Sequence, residues 1–113
     1  MGNIKNQNNM YRPLPRELTI NKSEIDGLGL FAVEEINSGI ELGITHIKDS
    51  KWKDGLIRLP LGGFYNHSET PNIETFEVYN ETYKTDVLMI RTIRKIKAGE
   101  ELVAEYKTYN PTK

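Results

Sequence analysis

The stretch Gly62-Gly63-Phe64-Tyr65-Asn66-His67-Ser68-Glu69-Thr70-Pro71-Asn72 packs amide, imidazole, hydroxyl and carboxylate groups behind two glycines and two aromatics. Glycines let a backbone bend sharply or approach a ligand closely. Short polar side chains also bond their own backbone, so the plain alternative is a well-knit surface turn. A second stretch, Gly27-Leu28-Gly29-Leu30-Phe31-Ala32, formally matches the G-x-G-x-x-A dinucleotide fingerprint. That fingerprint requires a helix whose N-terminus holds a pyrophosphate. Asn37-Ser38-Gly39 would end such a helix within about two turns, and no βαβ unit follows, so the dinucleotide reading is rejected. A strand with glycines at a bulge is the structural alternative. The third stretch runs from Ile96-Lys97-Ala98-Gly99-Glu100-Glu101-Leu102 through Val103-Ala104-Glu105 to Tyr106. Its first part echoes Ile36-Asn37-Ser38-Gly39-Ile40-Glu41-Leu42. We read the echo as strand-turn-strand chemistry, with glycine supplying a positive φ, rather than as a repeat architecture.

The elements that must position these residues follow from alternation and turn signals. Residues 1–10 are polar and asparagine-rich and read as a flexible tail; residues 11–113 read as a single domain. Tyr11 to Pro15 is extended, because each proline disfavours helix in the residue before it. Glu17–Asn21, Leu28–Val33, Ile40–Ile47, Asn72–Tyr79, Thr82–Ile93 and Glu101–Tyr106 read as strands. Asn80-Glu81 reads as a hairpin tip, and Val87-Leu88-Met89-Ile90 suggests a strand buried on both faces. Lys48 to Gly55 reads as a loop or a single helical turn, with its Trp52 a packing residue. No segment keeps a helical period for three turns, so the expected fold is mostly β, with short sheets and frequent turns.

The totals narrow the function. With 113 residues, the chain has room for one domain and a modest core. A hydrophobic content of 37% and a charged content of 27% indicate a globular chain. The net charge of -1 argues against a strong basic field, and no direct nucleic-acid partner is expected. The absence of cysteine rules out disulfides and Cys-ligated zinc and suits a reducing cytoplasm. No signal peptide or apolar run of about 18 residues is present, so no membrane partner is expected. Met1-Gly2 lacks the Ser/Thr that myristoylation favours, because that position holds Asn6. Asn66-His67-Ser68 and Asn80-Glu81-Thr82 fit the glycosylation pattern but read as chance matches.

Taken together, the three stretches resemble the signature blocks of SET-domain protein lysine methyltransferases. Gly27 to Ala32 resembles the glycine-rich first motif, and Asn66 to Asn72 resembles the NHS-x-x-PN signature. Ile96 to Tyr106 resembles the closing Gly-Glu-Glu-Leu block with its terminal tyrosine. The resemblance spans about Leu18 to Tyr109 and is closest in size to the minimal viral and phage forms. It implies a compact β-clip type fold with a threaded C-terminal segment, and S-adenosyl-L-methionine as cofactor. Gly27, Leu28 and Gly29 would then present backbone to the cofactor, with Asn66 and His67 contacting it through backbone and amide groups. Tyr106 would be the catalytic tyrosine beside the incoming lysine, and Tyr109 and Leu28 would line the lysine channel. The implied partner is a protein presenting a lysine, met in the cytoplasm or in the interior of a host cell, and the implied site needs no metal.

The departures matter. Glu69 stands where many relatives carry cysteine, and without cysteine the zinc-binding post-SET module cannot form. The remaining channel wall would come from Trp52, Tyr109, the N-terminal segment or a second copy in a homodimer. Leu28 replaces an aromatic of some viral relatives, and Ala104 a tyrosine of others. A non-catalytic SET-like module that binds cofactor or lysine is the alternative, and Tyr106 argues for the enzyme. The resemblance leaves Glu100, Glu101 and Glu105 as solvated or structural.

Overall fold

A computed structural model describes residues 14–49 and 55–105. Alternating apolar side chains build two four-stranded sheets. In the first, β1 (Leu18–Lys22) and β2 (Leu28–Ala32) pair antiparallel from Leu18 opposite Ala32 to Lys22 opposite Leu28. In the second, β3 (Glu41–Lys48) pairs with a short β4 (Leu56–Arg58) on one side. A 3-10 turn at Pro60–Gly62 leads to the two-residue β5 (Asn66–His67). The hairpin β6 (Ile73–Asn80) and β7 (Thr85–Thr92) follows, then β8 (Glu101–Ala104). The strand orders are β1-β2-β8-β5 and β4-β3-β7-β6. No α-helix occurs among the described residues, so the fold is mostly β as expected.

The core lies between the sheets. Leu18, Leu30 and Ala32 of the first sheet meet Leu42, Ile73 and Ile90 of the second, with Ile36, Ile96 and Leu102 closing the layer. Seven of these nine side chains are at least 95% buried, and burying an aliphatic side chain of this size stabilises by about 1.5–3 kcal/mol. Strand β8 sits inside its sheet, antiparallel to β2 and parallel to β5, with Asn66 opposite Val103 and His67 opposite Ala104. The third sequence stretch therefore runs between the first two.

Several local readings are revised. Thr82 to Lys84 belong to the hairpin turn, not to the strand. The Lys84 N–H donates to Asn80 O at 2.8 Å, and Lys84 takes a φ of 56°, which ends pairing at Thr85. Asn66 and His67 form a strand where a surface turn was the plain alternative. Gly62 approaches protein rather than ligand: a Cβ there would stand 2.5 Å from the Thr45 carbonyl and 3.0 Å from the His46 ring. That contact seats the 3-10 turn on β3, helped by Leu59 N–H donating to Thr45 O at 2.9 Å. Neither β4 nor the 3-10 turn was expected, since three-residue elements carry no usable period.

Candidate functional site

The glycine-rich stretch is shaped by Ser23. Its N–H donates to Gly27 O at 2.9 Å, closing the loop that precedes β2. Its hydroxyl oxygen accepts from Ile25 N–H at 2.9 Å and more weakly from Asp26 N–H. Gly27 turns the chain with a φ of +47°, a region that L side chains enter at a cost of roughly 1–2 kcal/mol. Nothing lies within 4 Å of where a Cβ on Gly27 would stand, so its outer side is open. Leu28 beside it is 51% exposed.

Register brings Glu101 beneath this loop. Phe31 pairs with Glu101 across β2 and β8, and Gly29 lies two residues earlier on the same face. A Cβ on Gly29 would overlap the Glu101 carboxylate and touch Ser23 Cβ at 3.0 Å, so only glycine fits. The Ser23 hydroxyl donates to Glu101 Oε1 at 2.9 Å. Asn66 Nδ2 donates to Glu101 Oε2 at 2.8 Å and lies 3.1 Å from Ser23 Oγ. Carbonyls of Asp26 and Leu28 flank the same nitrogen at 3.2 and 3.4 Å. Carbonyls and a carboxylate only accept, which fixes the amide orientation. Asn66 therefore turns its nitrogen into the chain, and no described residue donates to its Oδ1. Ser23, Asn66 and Glu101 join the three sequence stretches into one constellation.

Asn72 has a different task. It is fully buried, donating through Nδ2 to Glu101 O at 2.8 Å and accepting from Val103 N–H at 2.8 Å. Its backbone N–H donates to Val103 O at 3.0 Å and its carbonyl accepts from Ile93 N–H at 2.9 Å. Ser68 N–H donates to Ala104 O at 3.0 Å, and Ser68 Oγ accepts from Thr70 N–H at 3.0 Å. The Asn66–Asn72 stretch is thus a clamp on β8 whose first residue also reaches the glycine loop.

Of the candidate site residues, Gly27, Leu28, Gly29 and Asn66 are brought together. His67 is exposed on β5, one residue beyond Asn66. Tyr106, Tyr109 and Trp52 lie outside the described residues. Sequence reasoning missed Ser23 and left Glu101 as solvated or structural. Ser23 carried a weak signal as a hydroxyl three residues before Asp26-Gly27, a common turn-closing spacing. Glu101 carried none, because its place depends on strand register.

The lip of the loop is acidic. Glu24 and Asp26 are exposed on it, Glu101 lies beneath, and Lys22 is the single basic residue from 22 to 29. Among the described residues no lysine or arginine pairs with Glu101, whereas Glu35, Glu74, Glu77 and Glu100 each have a cation. An open, acceptor-rich lip of this kind suits a ligand carrying positive charge and not a pyrophosphate.

Comparison with known proteins identifies the family and the fold. The family description "SET domain" matches residues 43–107, more than half of the chain. No curated protein sequence matches the chain. Among solved structures, a Plasmodium falciparum protein described as a histone methyltransferase superposes with a TM-score of 0.68 at 23% identity. That match covers 82% of this chain and 95% of the other. A humanized mutant of Chaetomium thermophilum Polycomb Repressive Complex 2, bound to an inhibitor, gives 0.65 at 23% identity. The same complex in an autoinhibited conformation bound to S-adenosylmethionine gives 0.64 at 22% identity. These two matches cover 84% of this chain but only 16% of the fungal chains. The chain belongs to the SET-domain family.

Proposed function

We propose that the protein transfers a methyl group from S-adenosyl-L-methionine to the ε-amine of a lysine in a protein substrate. The observation that carries this reading is the meeting of the glycine loop, Asn66 and β8 through the Ser23–Asn66–Glu101 bonds, in a chain of the SET family. When bound, S-adenosylmethionine supplies a methyl group on a positively charged sulfur, open to in-line displacement by an amine. The open backbone at Gly27, the acceptor Oδ1 of Asn66 and the acidic lip fit such a ligand. Gly27, Leu28 and Gly29 would hold it through backbone, and Asn66 and His67 from β5 on the far side of β8.

The chain must also deliver a neutral amine. A lysine side chain in water titrates at about 10.4, so deprotonation at pH 7 costs roughly 4–5 kcal/mol. An apolar aromatic channel penalises the ammonium and lowers that cost. We assign the channel to Tyr106, Tyr109 and Leu28, with Tyr106 orienting the amine. Alignment is the main requirement of such a displacement, and no carboxylate base is needed. The protein would act as a minimal form of the family, finishing its channel from its own terminal segments or a second copy.

The test is incubation of the purified chain with methyl-labelled S-adenosylmethionine and cell lysate, alongside Tyr106→Phe. A labelled protein band that fades in the variant is the expected result. Cofactor binding by calorimetry without any labelled band would favour a binding module over an enzyme. No cofactor binding at all would overturn the reading.

A further inference from the structure

We infer that Glu101 is a specificity-determining residue that favours the methyl donor over the spent product, which has lost the sulfonium charge. This rests on the proposed function and deepens it.

Methyl transfer breaks the sulfur–methyl bond and forms a nitrogen–carbon bond. The bonding pair stays on sulfur, which becomes a neutral thioether, and the amine loses a proton. Donor and product therefore share nearly all their shape and hydrogen-bonding groups and differ by one positive charge. Contacts made equally to both cannot separate them; a fixed charge can. Without such a device, product held as tightly as donor slows every turnover.

Glu101 has the features such a device requires. Its carboxylate is half-buried directly beneath Gly29, so close that the glycine cannot carry a Cβ. Its two oxygens take hydrogen bonds from Ser23 and Asn66, both uncharged donors, and no described cation neutralises it. The neighbouring Glu100, immediately before β8, is paired with Arg94. The Glu101 carboxylate thus stands next to the residues that would hold the ligand, with no described cation against it. Glu24 and Asp26 on the loop add to it rather than cancel it. A carboxylate in a partly screened site interacts with a nearby cationic ligand strongly enough to change a binding ratio about three- to tenfold.

The experiment measures binding of S-adenosylmethionine and of S-adenosylhomocysteine to the full chain by calorimetry, without turnover. Wild type is expected to prefer the donor, and Glu101→Gln to lower the donor-to-product affinity ratio about three- to tenfold. Ser23→Ala keeps the charge but removes its hydroxyl partner, so it should weaken both ligands and leave the ratio in place. Equal weakening of both ligands by Glu101→Gln would overturn the inference and leave Glu101 a purely structural brace. Should Glu101→Gln fail to fold, the double variant Gly29→Ala/Glu101→Ala fills the vacated space and carries the same prediction. Failure of wild type to bind either molecule would overturn the functional reading itself, a result distinct from an unchanged ratio.

Discussion

Ile36 and Ile96 exchange both backbone hydrogen bonds, each N–H donating to the other's carbonyl at 2.8 Å. Around this antiparallel bridge the two echoing stretches are built alike. Gly39 N–H donates to Thr92 O while Thr92 N–H donates to Ile40 O; Gly99 N–H donates to Ala32 O while Ala32 N–H donates to Glu100 O. Gly39 and Gly99 take φ values of 80° and 87°, as the turn chemistry required. Each turn therefore closes on the strand that leads into the other. One consequence is that β8, and with it Glu101, is set in register partly by a turn remote in sequence.

The bridge predicts coupled energetics. Ile36 is 4% and Ile96 0% exposed, so replacing either with valine removes a buried methylene at a cost of about 1 kcal/mol. The two substitutions should not be additive, because the side chains share one packing site. Urea denaturation of both single variants and the double variant measures this, and strict additivity would contradict it.

Asn72→Ala is expected to be among the more destabilising single changes, at about 2–4 kcal/mol. It leaves the buried Val103 N–H without its acceptor and the Glu101 carbonyl without its donor. Asn72→Asp should not rescue it, because the acceptor returns but the donor does not, and a carboxylate is brought toward Glu100. Chemical denaturation with unchanged m-value checks both.

The two loop glycines should respond for different reasons. Gly29→Ala meets the Glu101 carboxylate and should cost about 1–3 kcal/mol by overpacking. Gly27→Ala meets nothing and should cost roughly 1 kcal/mol through its positive φ alone. Adding Glu101→Ala should recover part of the first loss and none of the second, as read by thermal or urea unfolding.

Glu100 links stability to acid pH. The Arg94 guanidinium beside it holds its carboxyl below the ordinary glutamate range, with the Lys97 N–H and Asn72 acting in the same direction against burial. A carboxyl whose folded pKa is lowered contributes stability that is complete above its unfolded value. That stability is lost as pH falls toward the folded value. Glu100→Gln should therefore lower stability at neutral pH. Its stability should also decline less than wild type's from about pH 5 downward, where free glutamate titrates. Parallel denaturation curves across that range would reveal an unchanged slope if the pairing were absent.

Much of the fold could be read from local pattern. Period-2 alternation located β1, β2, β3, β6 and β8 to within a residue or two of their ends, because one face of each strand is buried. The hairpin strand β7 was placed too early, since Thr82 and Tyr83 favour strands by type while Lys84 closes a turn by conformation. The two-residue β5 escaped detection because its pairing is parallel to a strand distant in sequence, which no local period encodes.

What the sequence determined by itself was the set of strands, the positive-φ glycine turns and the three stretches that mark the family. These are properties of residue type and short spacing, set by sterics and by the alternation of a half-buried strand. Tertiary structure alone decided that Glu101 lies under Gly29, that Asn66 spends its amide nitrogen on the chain, and that Gly62 packs on Thr45. Those facts depend on the register between strands far apart in the chain, where a shift of one residue would turn Glu101 to the opposite face.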